Sequence, residues 1–263
     1  MILRLLLGAA VAALVSAVAV RGRMLSTSGA VAAAGVGTIA VAAGWGWGVI
    51  LVVFFALTSA LSAYGAERKR ALTTGVLARS ATRDAVQVLS NGAVFAAAGI
   101  GWAATGSQIW LAAGAGALAA AAADSWATEI GIAFGGQPRS ILSGKPMNRG
   151  VSGGVTPAGS LGGAAGAATI TGTMLIIGWP LSVASAALFA GVIGMIMDSV
   201  LGATVQARRL CPACGTETEQ TVHHCGAATQ LVRGARWLDN DAVNALATLS
   251  GAVIAGIIFV AGA

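Results

Sequence analysis

The sequence predicts an all-α polytopic transmembrane bundle of about eight spans, and three observations carry that prediction. Charged residues make up 9% of the 263-residue chain and apolar residues 57%, with a mean hydropathy of +0.83. A soluble domain averages about 25% charged residues, so no soluble core of this size explains the deficit. Apolar runs near the roughly 18–20 residues of a transmembrane helix fall at 2–20, 29–43, 47–63, 85–104, 109–123, 156–177, 181–204 and 242–261, two of them short. Finally, all of the 15 Lys and Arg residues except Arg4 lie in four clusters between these runs.

The first run ends at Arg21 and Arg23. A cleaved signal peptide is the alternative reading of it, but no clear cleavage site precedes Arg21, so a span is expected. The second and third runs are separate helices only if Gly44-Trp45-Gly46-Trp47-Gly48 turns tightly, and its tryptophans suit an interfacial belt. Arg68, Lys69, Arg70, Arg79 and Arg83 precede the fourth run. An uncharged connection at 105–108 leads to the fifth, and Arg139, Lys145 and Arg149 follow it. A second uncharged turn at 178–180 joins the sixth and seventh. Arg208, Arg209, Arg233 and Arg236 precede the eighth. Basic and uncharged connections thus alternate without exception, which supports the span count. The positive-inside rule places every basic loop in the cytoplasm and both termini outside a cell inner membrane. The whole chain, 1–263, reads as one integral membrane domain, with 205–240 as a long cytoplasmic loop. The 38 glycines suit close helix approach in lipid, with Gly114-Ala115-Gly116-Ala117 and 159–168 as candidate contact faces.

Ionisable groups at membrane depth are expensive and usually functional, and here they gather at one set of span ends. Arg83-Asp84, Gln87 and Asn91 open the fourth span, with Asp84, Gln87 and Asn91 on one helix face. Asp124-Ser125-Trp126-Ala127-Thr128-Glu129 closes the fifth. Two carboxylates there suit a hard cation such as Mg²⁺, which binds one or two carboxylates together with water and phosphate oxygens. Glu129 is rotated away from Asp124 and Thr128 and is expected to face another partner. Ser152-Gly153-Gly154 lies in a glycine-rich loop entering the sixth span, beside Arg139, Lys145 and Arg149. Backbone N–H groups at such a helix start suit a phosphate, although the loop lacks the Gly-Lys-Ser/Thr spacing of a Walker A motif. Asp198, Gly202 and Gln206 share a face at the end of the seventh span, the glycine leaving room for a ligand. Asp198-Ser199 echoes Asp124-Ser125 on a span of the same direction, so the two carboxylates are expected near one depth. Asp239, Asn240, Asp241 and Asn244 open the eighth span, and one of the first two is expected to be its N-cap.

Cys211-Pro212-Ala213-Cys214, followed by His223-His224-Cys225-Gly226, has the spacing of a Cys₃His zinc knuckle. The expected ligands are Cys211, Cys214, Cys225 and one of the two histidines, taken as His224. In a reducing cytoplasm these thiols are not expected to pair as disulfides.

Taken together, Arg83-Asp84, Gln87, Asn91-Gly92, the segment from Ala123 to Gly131, Pro138-Arg139, Gly150, Gly153-Gly154, Gly159, Asp198-Ser199, Gly202-Ala203-Thr204, Gln206, the cysteine segment and Trp237-Leu238-Asp239-Asn240-Asp241 with Asn244 resemble the integral membrane family labelled domain of unknown function 92. That family is similar to human transmembrane protein 19 and includes a plant chloroplast phytyl-phosphate kinase. The resemblance spans nearly the whole chain. It implies an Mg²⁺-dependent transfer of a phosphoryl group from a nucleoside triphosphate, CTP or ATP, to an isoprenoid monophosphate at the cytoplasmic leaflet of the lipid bilayer. On this reading Asp124, Asp198 and Asp241 surround Mg²⁺, with Glu129 and Asp84 in support. Arg83, Arg139, Lys145, Arg149, Ser152, Gly153 and Gly154 bind phosphate, and Asn91, Gln206, Asn240 and Asn244 orient ligands. The zinc would be structural, and nucleic acid is not an expected partner. Nucleotidyl transfer to a lipid phosphate, hydrolysis of a lipid diphosphate and small-solute transport stay open as alternatives. The nearly uncharged outer half speaks against transport, which usually needs polar groups near the midplane.

Overall fold

The computed structural model describes residues 2–73, 76 and 82–262; Arg79 of the second basic cluster lies outside them. Helices α1 (Ile2–Arg21), α2 (Thr27–Ala43), α3 (Trp45–Ala63), α5 (Ala85–Thr105), α6 (Gln108–Phe134), α7 (Pro157–Ile176), α8 (Leu181–Thr204) and α9 (Asn240–Ala261) take up the eight predicted spans. A short helix, α4 (Ala66–Leu72), carries Arg68, Lys69 and Arg70. Of the eight long helices, α1, α3, α5, α8 and α9 are long and apolar enough to cross a membrane on their own composition, and α2 is apolar but shorter. Helices α6 and α7 are built largely from Ala and Gly, and their setting explains why. Helix α6 packs against α3, α5, α7, α8 and α9, so it faces protein on most sides and has no need of large lipid-facing side chains.

The caps divide the bundle into two ends. Ser26, Asp84, Thr156 and Asp239 each accept a backbone N–H at the starts of α2, α5, α7 and α9. Gly44, Ser107 and Pro180, which precede α3, α6 and α8, make no side-chain cap bond. Helix starts therefore carry polar caps at the end where the four basic connections lie. The opposite connections are short and uncharged. Trp47, Ile50, Phe95, Leu118, Ile170 and Met174 belong to the main buried cluster.

Two sequence expectations need correcting. The turn between α2 and α3 is a single residue, Gly44 at φ +157°, and α3 starts at Trp45. Only Trp45 suits an interfacial belt: Trp47 is 2% exposed and stacks against Phe95 with ring centroids 4.9 Å apart. The fifth span does not end at Ala123. Helix α6 continues to Phe134, because the polar stretch from Asp124 onward is enclosed by other helices instead of emerging into solvent. Trp126 and Ile130 cover Gly166 and Gly162 of α7, so the extension is packed in place.

Between α6 and α7 the chain closes a hairpin of β1 (Arg139–Ser140) and β2 (Gly154–Val155). Between α8 and α9 it forms a three-stranded sheet of β3 (Arg208–Leu210), β4 (Glu217–Thr218) and β5 (Gln230–Arg233), in the order β4-β3-β5. Both small structures cover the polar end.

Backbones touch where α6 meets α9: a Cβ on Gly251 would stand 2.6 Å from the Gly116 carbonyl oxygen. Gly251→Val is therefore expected to cost about 1–3 kcal/mol of overpacking. A lowered melting temperature of the detergent-purified protein would show it. Gly172→Ala should not lower that temperature, since a Cβ there meets nothing within 4 Å and Ala favours the helix over Gly.

Candidate functional site

A cavity of about 1060 Å³ occupies the polar end and runs into the bundle. Its charged end is lined by Lys69, Arg70, Arg83, Asp124, Glu129, Arg149 and Asp198, together with Asn91 and Asn240. Ser152 and Gly154 of the glycine-rich loop complete that end. Arg23 and hydroxyl side chains such as Ser16, Thr58, Ser59 and Ser62 also line the cavity, and the wall deeper along α1, α2 and α3 is apolar.

Helix register sets Asp124 and Asp198 at about one height on α6 and α8, both on the cavity wall. Helices α6 and α8 pack with Gly191 against Ala119 and Gly194 against Ala120. Both helices run toward the polar end, so four residues on from the Gly194–Ala120 contact the chain reaches Asp198 on α8 and Asp124 on α6. A step of four keeps each on the same helix face, about 6 Å further along. The expectation of two carboxylates at one depth thus follows from glycine-mediated packing. Asp124 lies ten residues before the end of α6, about 15 Å from it.

Glu129 has a different task. Its carboxylate accepts from the Lys69 ammonium and from the Ser62 hydroxyl at 2.6 Å. Lys69 also donates to the carbonyls of Leu61 and Ser62 at 2.8 and 3.0 Å, which satisfies the end of α3. Arg83 donates to the Ser59 and Ser62 hydroxyls, each at 3.3 Å. Glu129 is the anchor that joins α3, α4 and α6, with its charge already matched by Lys69. Sequence reasoning treated Lys69 only as one of a basic cluster. Its partner lies 60 residues away, and no local spacing signals such a pair.

The glycine-rich loop is held from behind. The Ser152 hydroxyl donates to Glu219, and the Gln206 amide donates to Ser152 and Glu219 at 2.9 and 3.0 Å. Arg208 donates to the Ser152 carbonyl at 3.0 Å. Gly153, at φ +83°, lies so close to Ala203 that a Cβ would clash with its backbone. These contacts press the loop onto the end of α8 and leave Ser152 at the cavity edge.

Several predicted site residues fall elsewhere. Asp84 is the N-cap of α5, in a capping box with Gln87, and does not line the cavity. Asp239, not Asn240, caps α9. Asn240 reaches the cavity, while Asp241 and the buried Asn244 lie outside its wall. Arg139 turns to the Gly144 carbonyl at 2.9 Å, and it and Lys145 stay outside the wall. Gln206 and Gly153 support the loop from outside the cavity, and the space beside Gly202 is filled by Ser152 and Gly153. A helix-face pattern marks residues that point together; it cannot show that a distant loop fills the gap between them.

The cysteine segment forms a compact ligand set. Cys211, Cys214, Cys225 and His223 bring one donor atom each within 4.8 Å of one another. The fourth donor is His223, not His224. His223 is 2% exposed, and its Nδ1 lies 3.2 Å from the Cys225 sulfur. His224 is exposed, and its ring lies tilted against the His223 ring. The His223 hydrogen bond pulls the Cys225 thiol down to about 6, and hydrogen bonding to Cys225 pushes Cys214 up to about 11. Three thiols and one imidazole at this separation can hold one tetrahedral soft-to-borderline metal.

Residues 10–252 match the family described as integral membrane protein DUF92. The chain is 30% identical to Protein PGR of Arabidopsis thaliana, across 94% of this chain and 93% of that one. It is 25% identical to an uncharacterized membrane protein of Methanocaldococcus jannaschii, across 80% and 75% of the two chains. No solved structure matches it.

Removing Lys69 would strand the Glu129 carboxylate in a largely buried setting, so Lys69→Ala is expected to destabilise the protein by about 3 kcal/mol. Lys69→Ala with Glu129→Gln should recover part of that loss. Thermal melts of the single and double variants measure the coupling.

Proposed function

The chain belongs to the DUF92 family of integral membrane proteins, and from that premise we propose that it transfers a phosphoryl group from a nucleoside triphosphate to an isoprenoid monophosphate. The observation that carries this reading is one large cavity with a charged, hydroxyl-bearing end and an apolar deep wall. A lipid phosphate has that same division. A small polar solute would need polar groups along its whole path, and the wall formed by Val11, Val36, Val41, Leu51 and Val52 offers none.

Asp124 and Asp198 would hold Mg²⁺. Their hard oxygen donors, set at one height on two packed helices, fit the one or two carboxylates that this ion takes from protein. The ion would supply neutralisation of the phosphoryl charge, which is the main catalytic demand of such a transfer. Arg149, Arg70 and Arg83 add positive charge around the phosphates, and Asn91 and Asn240 add amide groups to orient them. A non-bridging oxygen of the acceptor attacks the γ-phosphorus. The new P–O bond forms as the bond to the β–γ bridging oxygen breaks, and the nucleoside diphosphate leaves with that electron pair. An acceptor already ionised near neutral pH needs no general base, so the absence of His from the cavity wall is no obstacle. Nucleotides are cytoplasmic, so the polar end faces the cytoplasm in this proposal, with both termini outside.

Zinc at Cys211, Cys214, His223 and Cys225 would fix the sheet that carries Glu219, and through Glu219 the Ser152 end of the phosphate loop. Its role would be structural. About one zinc per chain is the expected content by atomic absorption. His223→Ala should lose the metal and His224→Ala should keep it.

The decisive assay supplies purified protein with labelled CTP or ATP and phytyl or geranylgeranyl monophosphate. The expected product is the lipid diphosphate, and Asp124→Asn and Asp198→Asn should each lower kcat by about 100-fold or more. Formation of no diphosphate with any nucleotide by the intact protein would sink the kinase reading. Release of inorganic phosphate from a lipid diphosphate would replace it with hydrolysis.

A further inference from the structure

We infer that the isoprenoid tail lies inside the protein, in a channel between α1, α2 and α3 that reaches beyond the carboxylates and opens sideways to the bilayer. The inference rests on the lipid-phosphate reading above and specifies where the tail goes.

Helix register gives the depth. Trp47 of α3 covers Gly114 of α6, and Ser62 bonds Glu129. Both pairs are 67 residues apart, so α3 and α6 run parallel in constant register. Asp124 is then level with Leu57. The cavity wall continues along α3 past Phe54 and Leu51 to Gly48. Gly48 is nine residues further from the polar end than Leu57, so the channel extends about 14 Å beyond the carboxylates. Its far end is closed by Val41, whose Cγ2 would stand 2.9 Å from a Cβ on Gly48.

The lining residues of α3 include Gly48, Leu51, Val52, Phe55, Ser59 and Ser62, spaced as one helix face. That face changes from apolar to hydroxyl-bearing as it nears the charged end. Such a gradient matches a hydrocarbon chain joined to a phosphate, and the basic groups at the charged end complement that phosphate.

Two lining residues also show the way in. Val11 of α1 is 42% exposed and Val52 of α3 is 44% exposed, yet both line the cavity. Helices α1 and α3 each pack on α2 and flank it. A lipid could pass between them from the bilayer without its tail crossing water. A long tail fills the deep part of the channel and continues through the sideways opening, with Leu51 and Gly48 as specificity-determining positions.

The test uses the full chain in nanodiscs with a phytyl-like monophosphate carrying a diazirine at the tail end. On irradiation, label is expected on residues 11–15 of α1 and 48–52 of α3. Label confined to bilayer-facing residues such as Leu161 or Phe189 would overturn the channel. So would label displaced by excess phospholipid but not by unlabelled phytyl phosphate, which would assign the space to a bilayer lipid. In the activity arm, Leu51→Trp should lower kcat/KM for a twenty-carbon substrate about tenfold or more while leaving a five-carbon one nearly unchanged, since each buried methylene contributes to binding. Equal loss at both lengths in a folded variant would also overturn it. The two readings fail separately: channel label without turnover sinks the kinase, and turnover with label only on bilayer-facing residues sinks the channel.

Discussion

Close backbone approach around α6 is the constraint on which the other features depend. Lipid offers no hydrophobic force to pull helices together, so association relies on packing, and small residues allow it. Gly191, Gly194 and Gly251 bring α8 and α9 onto α6, and Gly159, Gly162, Gly163 and Gly166 bring α7. These contacts fix register as well as distance. Because Gly194 meets Ala120, Asp198 stands at the height of Asp124. Because Trp47 meets Gly114, Ser62 reaches Glu129. The position of the charged groups is thus a consequence of which small residues touch several turns away.

Much of this was legible in the chain. The apolar runs and alternating basic loops give the eight long helices, and the two glycine-rich stretches named as contact faces are contact faces. The Asp-Ser echo between two spans of like direction anticipates the carboxylate pair. What was not legible depends on long-range packing. Nothing local shows that α6 stays helical past Ala123, because the polar residues there look like a span end until α7 is laid against them. Lys69 reads as one more inside charge until α3 and α6 are adjacent. Asp84 and Asp241 share the composition of the site but not its walls, since an acid at a helix start serves as a cap or as a ligand according to what lies opposite.

The polar end works as a set of layers. Nearest the bundle, Lys69 and Arg83 tie α3 and α4 to Glu129 and the serines, which spends charge on geometry. Over this lies the glycine-rich loop, and over the loop the small sheet with its cysteine cluster. Glu219 connects the two by holding Ser152. A loop rich in glycine is otherwise free to move, and the ordering of its backbone costs about 1–2 kcal/mol per residue. Bonds from Gln206, Arg208 and Glu219 offset that cost before any ligand arrives. A metal in the cysteine cluster would act on the same loop at one remove.

The common height of Asp124 and Asp198 on the cavity wall also bears on what the cavity can accept. Two carboxylates held at one height inside a helical bundle concentrate negative charge that neighbouring groups must balance. A phosphate entering the same space adds more negative charge. The basic groups nearby are partly committed, since Lys69 already serves Glu129 and Arg83 bonds two serines. Arg23, Arg70 and Arg149 also line this end, so positive charge is at hand for an anionic group beside the two carboxylates. A neutral lipid would gain nothing from Arg149 or Arg70. The arrangement thus suits an anionic group at the charged mouth of a cavity whose inner wall is largely apolar.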